Sequence, residues 1–375
     1  MSFHLCKVLL HLGVITYKTF RKKLFNWCEE NPRLMPWVNE QDIYKIWISE
    51  IILQQTRSEQ AQPYYEKIIK NYPDVHALAS ATQNELFKVW EGLGYYRRAV
   101  NLHITAQYIV SNLNGNFPKS YDQILGLKGV GPYTAAAIAS FGYNLPYAVL
   151  DGNVIRVLSR IFGIEQDPKT TNGKRILQEY ADKCLDRLNP SKYNQAIMNF
   201  GAIWCTPKTP KCGLCPFYET CIAFQENLIT LLPYKAKKAK LKKRFFHYLL
   251  PVFNNSETPI RQRKEKDIWN GLYEFILLET KSPKVLSKDR IIKHTNLQQI
   301  PITSVNGIEV YETNQKLTHQ SIHVKFYLYK VDKQLKIKKT DQFIVLNSEN
   351  LMNFAFPRVI RVFLNQIANK TSLNA

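Results

Sequence analysis

Four cysteines crowd into one short stretch with the spacing Cys205-x6-Cys212-x2-Cys215-x5-Cys221, a density that points to metal ligation. The C-x2-C pair turns two sulfurs toward one centre, and two further thiolates complete a closed donor set. Pro207, Pro210 and Pro216 stiffen the loop and reduce the entropy lost on ligation. On ligand chemistry alone, zinc stays open beside an iron–sulfur cluster, although a structural zinc usually brings a second C-x2-C pair or histidines. Cys6, Cys28 and Cys184 have no such arrangement and are expected to be buried thiols. Clustering of this kind suits a reducing compartment better than a secreted disulfide framework.

Two carboxylates are candidates for proton chemistry. Glu50 stands between Ile46-Trp47-Ile48 and Ile51-Ile52-Leu53. A carboxyl stripped of hydration there resists ionisation and can serve as a general acid near neutral pH. Helix geometry alone favours the plainer alternative, a surface glutamate on an amphipathic helix. Asp151 precedes Gly152-Asn153 and a helix expected to begin near Val154, where capping is its ordinary role. Between them lies Leu127-Lys128-Gly129-Val130-Gly131, with Pro132 opening the next helix. Gly129 and Gly131 permit a tight hairpin with φ > 0, and a helix N-terminus opened by proline attracts phosphate. Such a helix–hairpin–helix grips one DNA backbone without reading sequence. An ordinary turn between helices remains the alternative.

The elements that would position these groups are mainly helical from residue 17 to 227. Apolar periodicity predicts helices over Ile43–Thr56, Asn84–Trp90, Tyr121–Leu125, Tyr133–Phe141, Val154–Phe162 and Lys174–Leu188. Residues 228–244 read as a basic linker, because six lysines and one arginine fall between Lys235 and Arg244. Strand-like runs follow at Phe246–Phe253, Tyr273–Glu279 and His323–Val331, so residues 245–375 form a smaller α+β domain. The 375 residues carry 51 Lys and Arg against 30 Asp and Glu, and the resulting net charge of +21 suits a polyanionic partner. Lysine enrichment from AT-rich codons would raise the charge equally. No apolar run reaches the roughly 18 residues needed to span a bilayer. Leu9–Ile15 has no cleavage site after it, so a cytoplasmic, nucleoid-associated protein with no membrane partner is expected.

A hairpin some way before such a cysteine quartet resembles the endonuclease III superfamily of helix–hairpin–helix DNA glycosylases. Within it the chain is similar to the MutY-type adenine DNA glycosylases. The residues carrying the likeness are Pro36-Trp37, the run Ile46 to Thr56, Gly92-Leu93-Gly94-Tyr95-Tyr96, Leu150-Asp151-Gly152-Asn153-Val154 and Tyr193-Asn194-Gln195-Ala196. It covers about residues 17–228. Residues 1–16 fall outside it and are expected to be an extension from a misassigned start.

The resemblance implies several roles. Glu50 matches the catalytic acid, Asp151 the carboxylate that faces the sugar as it becomes cationic, and Asn153 helps position them. Tyr133 stands where the bifunctional branch has a Schiff-base lysine, so base removal without strand cleavage is expected. Gln55 and Tyr95 match residues that insert into the base stack, and Gln195 one that bonds the extruded adenine. Cys205, Cys212, Cys215 and Cys221 would hold a 4Fe-4S cluster and present the Lys208–Lys211 loop to DNA. The expected partner is double-stranded DNA containing A·8-oxoguanine or A·G mispairs, bound by a monomer.

Two departures accompany the likeness. The family reads Pro-Trp-Arg where this chain has Pro36-Trp37-Val38, and an arginine near the adenine pocket is thereby missing. The segment Ile268 to Phe275 resembles the Nudix-like second domain, whose Phe-Ser-His lesion-sensing loop appears as Leu317-Thr318-His319. Thr318 keeps the hydroxyl, whereas Leu317 loses the ring. No acidic Nudix helix follows Glu274, so pyrophosphate hydrolysis is not expected. A G·T-mismatch thymine glycosylase is the nearest alternative, and a non-catalytic DNA-binding iron–sulfur protein is another.

Overall fold

A run of eleven residues, Ile43–Leu53, in which every position from Ile46 to Ile52 is buried, is too apolar to lie on a surface. It forms a central helix, capped at its start by Asp42, whose Oδ1 accepts from Tyr44 N at 2.9 Å. The computed structural model describes residues 15–234, 241–253, 256–331 and 342–372. Cys6, residues 1–14 of the extension and residues 235–240 of the basic linker lie outside them.

The described helices are α1 (Tyr17–Glu30), α2 (Ile43–Leu53), α3 (Ser58–Asn71), α4 (Val75–Ser80), α5 (Gln83–Trp90), α6 (Arg97–Leu113) and α7 (Tyr121–Leu125). They continue with α8 (Pro132–Tyr143), α9 (Gly152–Phe162), α10 (Thr171–Cys184), α11 (Pro190–Ile203) and the short α12 (Ile222–Gln225). Against the sequence expectation, α2 stops at Leu53 and Gln55 takes a positive φ of 57°. The strand-initiating run also begins earlier, at Lys242, inside the expected linker.

Contact clustering divides the chain into two compact units: residues 1–80 with 101–237, and residues 81–100 with 238–375. In the first, one core joins Phe20, Leu24 and Trp27 of α1 to Val157, Leu158 and Ile161 of α9 and Phe200 of α11. α9 and α11 approach closely because α11 carries Gly201, where an added Cβ would sit 2.7 Å from Asn153 Cβ and 2.9 Å from Asn153 O. Buried Ala135 to Ala139 likewise let α8 pack on α2. In the hairpin, Gly129 has φ +84 and no room for a Cβ, since Asn101 Cβ would be 2.7 Å away. Gly131 does not need positive φ: at −103° it caps α8 with extended backbone, and Pro132 occupies the first turn.

The second unit contains two sheets. Four strands run in the order β4-β1-β6-β5, with β1 (Lys242–Phe253) parallel to β6 (Gln320–Val331) and antiparallel to β4 (Ile276–Thr280). β5 (Asn306–Lys316) closes the edge antiparallel to β6. The strand expected over Tyr273–Glu279 is interrupted at Phe275, which gives β3 (Tyr273–Glu274) to the other sheet, β3-β2-β7. There β2 (Glu257–Gln262) pairs β3 and β7 (Ile344–Asn347). Strand alternation sends Phe246, Tyr248 and Phe326 to a core shared with Phe363 of α14 (Arg358–Ser372). Leu249, Tyr327 and Tyr329 face the other way, toward Ile291 of α13 (Lys288–Leu297).

The α9–α11 contact yields a direct test. Gly201→Ala is expected to destabilise the protein by about 1–3 kcal/mol through overpacking, measured as a lowered denaturation midpoint.

Candidate active site

α2, the hairpin, α9 and α11 bring their functional side chains onto one cavity of about 640 Å³. Its wall includes Glu50, Gln55, Tyr133, Asp151, Asn153 and Gln195, together with Gly129 and Gly131. Thus the residues singled out from α2 to α11 converge, although they span much of the sequence.

Glu50 is 3% exposed, on a helix buried around it, so the reading of a surface glutamate fails. It is hydrogen-bonded to Tyr133, while its Oε2 has no partner among the protein atoms. Burial pushes its pKa up to about 7; the Tyr133 bond opposes the shift and the charge of Asp151 adds to it. Asp151 has a different setting. Its Oδ1 accepts from Asn153 N at 2.9 Å and Val154 N at 2.7 Å, and its Oδ2 from Asn153 Nδ2 at 2.8 Å. Burial raises its pKa, against those hydrogen bonds and the nearby Arg156 charge. Asp151 is therefore both the cap of α9 and a wall of the cavity. The two carboxylates thus have unequal environments, Glu50 desolvated with an unpartnered oxygen and Asp151 held by three hydrogen bonds.

Arg156 escaped the sequence reading. Only 8% exposed, it donates from Nη2 to Asn153 Oδ1 at 2.9 Å and Gly201 O at 2.6 Å, and from Nε to Cys205 O at 2.7 Å. One guanidinium thus joins the turn that carries Asp151 to the first cysteine. Arg160, one turn on, donates to Thr206 O at 2.8 Å, Pro207 O at 3.2 Å and Leu232 O at 3.0 Å. The available signal was two arginines at i and i+4 inside an apolar helix, a pattern that needs acceptors at the core.

All four cysteines line one small apolar cavity with Ile161, Phe200 and Trp204. Cys215 feels the charge of the other three, and burial pushes its thiol up to about 12 and that of Cys221 to about 11. Arg160 Nη1 lies 3.5 Å from Cys205 Sγ. Among the described residues, no three His, Cys, Asp or Glu side chains are grouped to hold a metal ion. Lys208 and Lys211 are exposed beside this loop, Lys211 lying over Trp204. Cys184 is buried as expected, but Cys28 is only half-buried, on the wall of a neighbouring cavity.

In the second unit Tyr95, with φ 49° and half of its surface exposed, bonds through its hydroxyl to Thr318 Oγ1 at 2.5 Å. His319 is exposed, its Nε2 3.1 Å from Gln320 Nε2. Leu317 is turned into the sheet core. Glu274 is fully buried, its two oxygens taken by Arg261 at 2.7 Å and Arg263 at 2.6 Å.

The family model for HhH-GPD superfamily base excision DNA repair proteins matches residues 48–183, and that for the NUDIX domain matches residues 248–366. An adenine DNA glycosylase of Buchnera aphidicola subsp. Acyrthosiphon pisum (strain APS) is 31% identical over 93% of this chain and 98% of its own. Another, of Buchnera aphidicola subsp. Schizaphis graminum (strain Sg), is 33% identical over 76% of this chain and 83% of its own. The chain belongs to the adenine DNA glycosylase family. These are hydrolases acting on N-glycosyl bonds, of MutY type, with a helical first domain and an α+β, Nudix-like second one. A thermostable thymine-DNA glycosylase structure is also similar, with 27% identity and a TM-score of 0.53, over 56% of this chain and 97% of that one. These two adenine DNA glycosylases thus match over 93% and 76% of the chain, and the thymine enzyme over 56%. Among the described residues, no helix is long and apolar enough to cross a membrane.

The Glu50 environment has a consequence for stability. Its folded pKa of about 7 lies above the ordinary glutamate value of 4.5. The native state therefore keeps a proton that the unfolded chain releases across that interval, and stability falls as pH rises through it. Glu50→Gln removes this loss: the variant should gain about 2–3 kcal/mol relative to wild type at about pH 8. Near pH 4.5 the difference should vanish. Denaturant titrations at the two pH values measure it.

Proposed function

We propose that this protein is a monofunctional DNA glycosylase of base-excision repair that removes adenine mispaired with 8-oxoguanine or guanine. The observation that carries this reading is the pair Glu50 and Asp151 on one cavity, the first desolvated with a pKa of about 7 and the second accepting three hydrogen bonds. Adenine leaves poorly unless a ring nitrogen is protonated, and Glu50 supplies that proton. As the glycosidic bond breaks, positive charge grows on the sugar and the Asp151 carboxylate stabilises it. Glu50, now ionised, then accepts a proton from the attacking water. Tyr133 holds Glu50 and has no amine, so no Schiff base forms and the backbone stays intact.

The remaining residues prepare the base. Gln55 and Tyr95, both at positive φ, are the inserting side chains, and the Gln195 amide, 3.3 Å from Asn199 Oδ1, meets the extruded adenine. The Gly129–Gly131 hairpin holds a DNA phosphate, while Thr318 and His319 meet the oxidised guanine. Cys205, Cys212, Cys215 and Cys221 hold a 4Fe-4S cluster. Four thiols on one apolar cavity fit it, with the Arg160 guanidinium beside them to offset the charge of thiolate ligation. Its chemistry here is to cross-link the end of the helical domain. The protein acts as a monomer on duplex DNA.

The similarity to a thymine-DNA glycosylase supplies the second reading, removal of thymine from G·T mispairs. Duplexes carrying A·8-oxoguanine, A·G and T·G separate the two. Adenine release seen as strand breaks only after alkali is expected, with Glu50→Gln lowering the rate by at least about 100-fold. Breaks from T·G alone, or nicking without alkali, would overturn the proposal. Iron analysis should find about four atoms per chain, falling to less than half in Cys215→Ser with a lower melting temperature.

A further inference from the structure

A backbone that is neither helix nor strand must take its hydrogen bonds from elsewhere. Residues 144–151, which lead from α8 into Asp151, are such a segment, and Ala148 and Val149 within it are buried. One side chain of α11 supplies partners. Asn194, wholly buried, accepts from Val149 N through Oδ1 at 3.2 Å and donates from Nδ2 to Tyr147 O at 2.8 Å. It offers one acceptor and one donor to an extended run, as a neighbouring strand would. Its Nδ2 also donates to Ser140 Oγ of α8 at 2.9 Å, and that hydroxyl donates to Ala137 O at 3.3 Å. A backbone N–H can only donate and a carbonyl can only accept, so the amide is fixed in one orientation with both protons used.

Val149 lies two residues before Asp151. The three hydrogen bonds that Asp151 accepts come from Asn153 and Val154 and orient the carboxylate within its own turn. The chain entering that turn is held by Asn194. Its neighbour Gln195 reaches the cavity wall, as Asp151 does. One buried amide thus registers the approach to Asp151 against the helix that carries Gln195. We propose that Asn194 is a positioning residue for adenine release, holding the Asp151 carboxylate at the sugar by fastening residues 147–149 to α11. This rests on the reading of Asp151 as the carboxylate that meets the developing cation. Such a carboxylate works through fixed geometry, and a misplacement of about 1 Å costs up to about 100-fold in rate.

Duplexes carrying an uncleavable abasic analogue opposite 8-oxoguanine supply the readout. One analogue is a neutral tetrahydrofuran ring, the other a pyrrolidine ring whose ammonium mimics the cationic sugar. The wild type should bind the pyrrolidine duplex more tightly, because a carboxylate faces the charge. Asn194→Ser should lose about tenfold of that preference, while its affinity for the tetrahydrofuran duplex changes by less than about twofold. Its single-turnover rate of adenine release at saturating duplex should fall by at least about tenfold. Asn194→Leu, which fills the space without a polar atom, should behave alike and replaces the smaller variant if that one fails to fold; circular dichroism sets a temperature at which each protein is native. Ser140→Ala removes one anchor and leaves both backbone bonds, so its preference should stay within about twofold of wild type. An unchanged preference in the Asn194 variants, an equal loss on the two analogues, or the same loss in Ser140→Ala would each overturn the assignment. A wild type that binds the two analogues equally would instead refute the reading of Asp151, and the assignment with it.

Discussion

A guanidinium buried in a protein core must find acceptors, and Arg156 finds them in two places at once. Its bonds to Asn153 Oδ1 and Cys205 O connect the turn that carries Asp151 to the start of the cysteine loop. Asn153 in turn holds Asp151 Oδ2. The orientation of the Asp151 carboxylate thus depends on backbone carbonyls contributed from about fifty positions further along the chain. Removing one partner would leave a buried charge or a buried carbonyl unsatisfied, each far costlier than the loss of an exposed contact. The cysteine loop has no cavity wall in common with Glu50, yet it helps to hold the geometry that Glu50 works against.

How far the sequence could be read depended on the range of the forces involved. Glu50 stood out because its burial is decided by neighbours along one helix, and the cysteines because chelation demands short spacing. The hairpin was legible for the same reason, Gly129 needing both a positive φ and the absence of a Cβ against Asn101. Gly131 was misjudged, since an N-cap is extended whatever its residue. Arg156 and Arg160 remained hidden because their partners are carbonyls, which no residue type announces. The early end of α2 and the break at Phe275 were missed for a related reason. No glycine or proline marks the end of α2 at Gln54, apolar residues continue through Phe275, and only tertiary packing decides where the backbone turns.

The second unit shows how ion pairs can replace apolar packing locally. Glu274 lies beneath Tyr248, held by Arg261 and Arg263, while Arg244 reaches Asp267 and Glu279. Such a network contributes little net stability after desolvation, but it admits few alternative arrangements. It also occupies both oxygens of Glu274 with guanidinium groups.

Residues 81–100 interrupt the first unit in sequence but pack with the second, through Lys88 to Met352 O at 2.6 Å and Arg361 to Glu91 at 2.7 Å. Tyr95 and its bond to Thr318 lie on that segment. The two halves are therefore interleaved, unlike beads joined by a string. Cutting the chain at the basic linker would therefore orphan a helix and its tyrosine upstream.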